Sequence, residues 1–397
     1  APDPDHNIVQ WVPWDNAGFA YADVNADPRT GESLHGQVYM TSVFAISSVA
    51  RARMFLRQYQ AVAEAAEKPT ARLGLSFLAP APGCRFDERL FAAKMAQGPP
   101  DLLIHANLTD AKVLEYSQDY VREVIAHEIG HVLGLRHNFA ASTAATLDVD
   151  AMASWLESYL TGEASPDVLE GDFSVSTVMD YSIHADAVLE GFKTRRAVQA
   201  LPYDHAAMQW GYFNNTTVET ERFHFCTDDH LDVYADCNQF DAGAAPIVSN
   251  HKLLATFIDG LPASFIERFI FAKAPFDPRD RKSLDSVALN AKVYASTIAS
   301  HIENMLQYFS SETRSVVVEK EFAVIDPLSK ALVKDRQWQN VQDELAAVGG
   351  ASGLFSTIRN VLQGESTFVE QVRQLLASAT YSEFIGHDGE RYSFSAA

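Results

Sequence analysis

The chain of 397 residues is 47% hydrophobic and 21% charged, an ordinary globular composition with length enough for two or three units. Asp and Glu outnumber Lys and Arg by 52 to 31, and the resulting net charge of −21 excludes a general nucleic-acid surface, which needs clustered positive charge. No run of about 18 apolar residues occurs, so the sequence encodes no transmembrane helix.

In chain order, the first 45 residues read as extended. Ile8 to Val12 is rich in β-formers, Asp27-Pro28-Arg29-Thr30-Gly31 is a turn signal, and Gln37 to Phe44 is a second run of β-formers. From Ile46 the apolar spacing turns helical, with Val49, Leu56, Tyr59 and Ala63 on one face. Pro and Gly between residues 79 and 83 break the chain. A short helix over residues 88–95 and a short strand within residues 101–107 follow. A long helix is expected from Leu114 to Leu135. Beyond Asn138 the chain reads as irregular until a helical zone through Val287, Ala291, Tyr294, Ile298 and Ile302. Residues 316–325 then read as a strand and residues 334–377 as short helices. The organisation expected is a catalytic domain over residues 1–225 and a mostly helical part over residues 226–397.

The chemistry concentrates in His127-Glu128-Ile129-Gly130-His131-Val132-Leu133-Gly134-Leu135-Arg136-His137. At about 100° per residue, His127 and His131 lie one turn apart on nearly one face of a helix. His137 would sit roughly 9 Å further along the axis if the helix continued. The chain must therefore reverse, and Gly134 is the residue type that tolerates the left-handed conformation ending a helix. Three neutral histidines leave a fourth zinc position open, the pattern of a catalytic site. Glu128 adjoins a ligand without being one, so it is placed to act as general base on a zinc-activated water. The bland alternative is an accidental order of helix-surface residues. With Gly134 and His137 added at fixed offsets, that chance falls below about one in a thousand.

The extended motif resembles the metzincin metalloproteases, which also carry a methionine-containing turn downstream. Thr177-Val178-Met179-Asp180-Tyr181 looks like that turn. The resemblance implies that Met179 forms an apolar floor under the imidazoles and that Tyr181 reaches the zinc or the oxyanion; an ordinary core methionine is the plainer reading of Met179. Further stretches, Ile8 to Val12, Asp27 to Glu32, Pro202-Tyr203-Asp204-His205 and Cys226-Thr227-Asp228-Asp229, resemble a large group of secreted or envelope bacterial zinc-dependent metalloproteases. This resemblance implies an α/β (α+β) metzincin-like lobe with a twisted mixed sheet and an active-site helix, one catalytic Zn2+, a polypeptide substrate, and export to the periplasm, envelope or medium. Within that picture Gln37, Val38, Tyr39, Met40 and Thr41 form the edge strand to which an extended substrate adds; an interior strand is the alternative.

In an exported protein Cys226 and Cys237 read as a local disulfide. The loop that they enclose carries Asp228, Asp229, Asp232 and Asp236, so Ca2+ is a candidate ligand beside a plain solvated loop, and a second zinc site at His230 is a weaker one. Cys84 is left over as a buried thiol or one with a partner outside the chain. The sequons at Asn107, Asn214 and Asn215 carry little weight. A zinc hydrolase or amidase on a non-protein bond would use the same residues. A non-catalytic binding protein of the same fold is disfavoured by the intact Glu128. Only Ala1 to Asn7 precede the first strand, where metzincins place a further strand and a backing helix. The expectation is a processed portion of a longer precursor, with an upstream segment, a second chain, or the helix over residues 46–63 covering the sheet.

Overall fold

The computed structural model describes residues 6–13, 20–41, 110–148, 171–182, 184–196, 200–215, 223–231, 243–252 and 338–350, with scattered positions between and after them. It is an α+β structure. Three strands come first: β1 (Ile8–Val12), β2 (Ala20–Ala26) and β3 (Ser33–Thr41). The long helix α1 (Asp110–Val132), then α2 (His184–Arg196) and α3 (Pro202–Phe213), follow. Further along lie α4 (Trp338–Ala347) and a hairpin-like pair, β4 (Glu383–Ile385) with β5 (Arg391–Ser393).

The first sheet has the order β1-β3-β2, so it is mixed. β1 runs parallel to β3 with Ile8 opposite Gln37, and β2 runs antiparallel with Tyr21 opposite Tyr39. The Asp27 to Gly31 turn returns the chain from β2 to β3. Its Asp27 carboxylate accepts from the Arg29 backbone N–H at 2.8 Å, and Gly31 has φ 75°. This arrangement corrects the edge-strand expectation for Gln37, Val38, Tyr39, Met40 and Thr41. Residues 37–40 are paired on both sides, and Val38 and Met40 are buried. A substrate strand finds no free backbone ladder there. The physical reason is β2, whose small and polar residues (Ala, Tyr, Ala, Asp, Val, Asn, Ala) hid a strand that occupies the place meant for substrate.

β3 meets the active-site helix closely: a Cβ on Gly36 would fall 2.3 Å from Val132 Cγ1 at the C-terminal end of α1. On another side α1 packs against α2, where a Cβ on Gly191 would fall 1.7 Å from the Asp119 carbonyl oxygen. Arg195 of α2 bonds Glu115 at 2.8 Å and the buried Asp119 at 2.9 Å, and the Tyr159 hydroxyl donates to Asp119 at 2.8 Å. These bonds fix the register of the two helices where the glycine lets them touch. The expectation of irregular chain after Asn138 is overturned for residues 184–196 and 202–213, which form α2 and α3. Their buried apolar positions Ala187, Val188, Leu189, Phe192, Tyr203, Ala206 and Ala207 include runs of neighbours rather than a clean three- and four-residue spacing, which blurred the helical period.

The helix expected over residues 46–63, Cys84, the short elements expected between residues 88 and 107, and most of residues 253–337 lie outside the described residues. No helix among the described residues is long and apolar enough to cross a membrane.

The close approach at Gly191 makes a test of the α1–α2 contact. Gly191→Ala gains helix propensity of about 1 kcal/mol but must displace backbone at Asp119, so a net loss of about 1–3 kcal/mol in denaturant unfolding is expected. Gly211→Ala, with open space around its Cβ in α3, serves as the control and should be neutral or stabilising.

Candidate metal centre

The end of α1 builds the site. Gly134 sits at φ 87°, its N–H donates to His131 O at 2.9 Å, and the Leu135 N–H donates to Gly130 O at 3.0 Å. These two bonds are the paired closure of a Schellman motif, and they turn the chain back on itself within three residues. The reversal carries His137 to His131, with Nε2 to Nε2 at 3.2 Å. His127 completes the set, its ring centroid 4.9 Å from His131 and 5.2 Å from His137. The ligand-capable atoms of the three histidines all lie within 4.8 Å of one another, and among the described residues this is the group able to hold a metal ion.

The outer nitrogens decide the tautomers. His127 Nδ1 lies 2.6 Å from the Val178 carbonyl oxygen, His131 Nδ1 is 2.9 Å from the Leu135 carbonyl oxygen, and His137 Nδ1 is 2.8 Å from Asp228 Oδ2. A carbonyl oxygen only accepts, so Nδ1 carries the proton in His127 and His131 and their Nε2 atoms present lone pairs. Asp228 plays the same part for His137. Burial raises its carboxyl, but the His137 hydrogen bond and charge outweigh this and hold it below the ordinary carboxylate range. Two acceptor nitrogens 3.2 Å apart cannot bond each other, and a cation between them is what such an arrangement fits. Burial pushes His127 down to about 3, with the His131 and His137 charges adding to the effect. Burial lowers His131 too. Both are therefore neutral and ready to ligate at neutral pH.

The methionine turn underlies the site. Met179 is fully buried, and a Cβ on Gly130 would fall 2.2 Å from its Sδ, so the helix position between the two histidine ligands has no room for a side chain. Asn138 N–H donates to Met179 O at 3.0 Å, which ties the turn to the chain just after His137. Tyr181 stands beside the imidazoles, its ring 4.7 Å from His137 and 5.5 Å from His127. Glu128 is buried next to His127.

Two groups hold this assembly in roles that the sequence did not indicate. Asp204, in the first turn of α3, accepts from the Thr177 hydroxyl and, at 3.0 Å, from the Val178 N–H. The Val178 peptide thus receives Asp204 on one side and His127 on the other. Asp228 belongs to the acidic loop closed by the Cys226–Cys237 disulfide, whose Cα atoms are 5.8 Å apart. The only signals were the Pro202-Tyr203-Asp204-His205 and Cys226-Thr227-Asp228-Asp229 stretches, whose roles depend on tertiary placement.

The calcium expectation finds no support among the described residues of this loop, and Asp232 lies outside them. Asp228 is bonded to His137 and Asp229 to Arg136 at 3.2 Å, and no carboxylate group able to hold a metal is found among the described residues. His230 belongs to no metal-ligating group among the described residues. It caps the short turn Asp228–His230, its Nδ1 accepting the Thr227 N–H at 3.3 Å.

Residues 109–230 match the family model described as Met-zincin. That segment is similar to the Met-zincin family. It contains α1, the three histidines, the methionine turn and the start of the disulfide loop. No curated protein and no solved structure gives a match to the chain.

Asp204 gives this histidine centre a pH signature. Burial pushes its carboxyl up to about 7, against the two donors that favour the ionised form. A folded pKa above the unfolded 3.8 means that the folded state holds a proton that the unfolded state releases, so stability is present at low pH and is lost as pH rises through about 7. Asp204→Asn removes this titration and leaves a constant offset. Unfolding of metal-free protein should show the wild type losing on the order of 3–4 kcal/mol relative to the variant between about pH 4 and pH 7. A flat difference across that range contradicts the assignment.

Proposed function

We propose that the protein is a zinc-dependent endopeptidase acting on polypeptide substrates in an oxidising, extracytoplasmic compartment. The observation that carries this is the 3.2 Å approach of His131 Nε2 and His137 Nε2, with each outer nitrogen bonded so that the lone pairs face inward beside His127. Three nitrogen donors with an open fourth position suit zinc in its catalytic form. The buried Cys226–Cys237 disulfide supports the compartment.

When bound, zinc polarises the scissile carbonyl and makes the attacking water acidic. The chain's own residues do the rest. His127 and His131 stay neutral, and all three imidazoles are fixed in orientation. Glu128, buried beside His127, takes the proton from the attacking water and returns it to the leaving amine nitrogen. Tyr181, packed against His127 and His137, offers its hydroxyl to the oxyanion that develops on the substrate carbonyl. Met179 keeps the floor beneath the imidazoles apolar and tightly filled.

The test separates metal from base. Glu128→Ala should retain one zinc per chain by metal analysis while casein cleavage falls about 10²–10⁴-fold. Tyr181→Phe should lower kcat with zinc content unchanged. Full activity in Glu128→Ala, or wild-type activity that survives a chelator, overturns the peptidase reading.

A further inference from the structure

Resting on the zinc reading, we propose that Asp228 is the positioning residue for the third ligand and that the disulfide loop sets how tightly the metal is held. His137 differs from its two companions. His127 and His131 lie on a helix and bond backbone carbonyls, whereas His137 lies beyond the helix end and bonds a side chain 91 residues away. Nothing in its own secondary structure fixes its ring.

The loop supplies what the helix does not. Asp228 bonds His137 and Asp229 bonds the preceding Arg136, so two neighbouring residues of each segment are paired. Just past His137, Phe139 N–H donates to Cys226 O at 2.9 Å and Asn138 Oδ1 accepts from Cys226 N–H at 3.2 Å. From the other end of the loop, Asn238 N–H donates to Phe139 O at 3.3 Å. The Cys226 arm therefore grips residues 138 and 139, and the Cys237 arm grips residue 139. The two cysteines are buried with Phe139 and Ala140, and Tyr181, Leu231 and Tyr234 pack on that cluster. The Thr227 hydroxyl donates to Asp228 Oδ2 at 3.2 Å and helps to aim it.

A carboxylate behind an imidazole fixes the tautomer and raises the basicity of the nitrogen facing the metal, and losing such a partner weakens affinity about 10–100-fold. The interaction is directional, so it depends on the loop being held shut. The disulfide is thereby linked to metal retention without touching the metal.

Zinc dissociation constants, measured on the 397-residue chain by competition with a chromophoric chelator, test this. Asp228→Ala should bind zinc about 10–100-fold more weakly than wild type. Asp228→Asn, which keeps an acceptor oxygen of the same shape, should recover part of that loss, a rescue that a purely steric role would not grade by charge. Asp229→Ala removes only an exposed ion pair and should stay within about twofold of wild type. The double variant Cys226→Ala/Cys237→Ala should loosen zinc to a similar extent as Asp228→Ala. Wild-type affinity in both Asp228 variants overturns the inference while leaving the zinc reading intact, and wild-type affinity in the cysteine variant overturns the part assigned to the loop. A wild-type chain that takes up no zinc overturns both. Should Asp228→Ala fail to fold, Asp228→Asn carries the comparison alone, with any loss beyond about threefold as the expected result.

Discussion

Each imidazole of the centre has two nitrogens, and the fold has to dispose of one before it can use the other. The Val178 carbonyl, the Leu135 carbonyl and the Asp228 carboxylate take the outer nitrogens of His127, His131 and His137 in turn. With those bonds made, ring rotation is stopped and the inner lone pairs converge. Without them the same three side chains on the same backbone would be free to turn away, and the ordering entropy would fall on the metal-binding step instead.

The three acceptors are supported to different depths. Leu135 is local, delivered by the same helix-ending turn that returns the chain at Gly134. Val178 belongs to a turn that Asp204 holds from below through Thr177 and the Val178 N–H, and that Met179 seals against Gly130. Asp228 comes from a covalently closed loop. The sheet and α2 contribute indirectly, by fixing both sides of α1: Gly36 meets Val132 near its end, and Gly191 meets Asp119 near its middle. A helix clamped at two places by close contacts has little freedom to tilt, which keeps His127 and His131 at constant separation.

Much of the centre was legible in the sequence because its ligands are local. A four-residue spacing on a helix, a glycine and a six-residue return fix three atoms without knowledge of the rest of the chain. The disulfide was legible from the short loop between Cys226 and Cys237. Asp204 and Asp228 were not, because a carboxylate's partner 26 or 91 residues away leaves no periodic trace. The sheet was half legible. Ile8–Val12 and the turn at Asp27 read correctly, but strand order is a matter of pairing, and β2, with three alanines among seven residues, carries little apolar alternation to announce it. Helices α2 and α3 were missed because their buried apolar residues fall in adjacent runs, Ala187 to Leu189 and Ala206 to Ala207, which give a weak helical period.

The order of these parts along the chain has a consequence for how the centre matures. All three ligands are in place by residue 137, yet two of their three acceptors come at residues 178 and 228. At about 5–20 residues per second, a chain under synthesis carries the ligand segment for several seconds before Asp228 is made. Until residue 178 is made only His131 has its acceptor, and His137 waits until residue 228. The loop that presents Asp228 then still awaits oxidation of Cys226 and Cys237. A copy in a reducing compartment therefore holds a complete set of ligands with its last one unclamped, and the finished centre is a late product of folding and oxidation together.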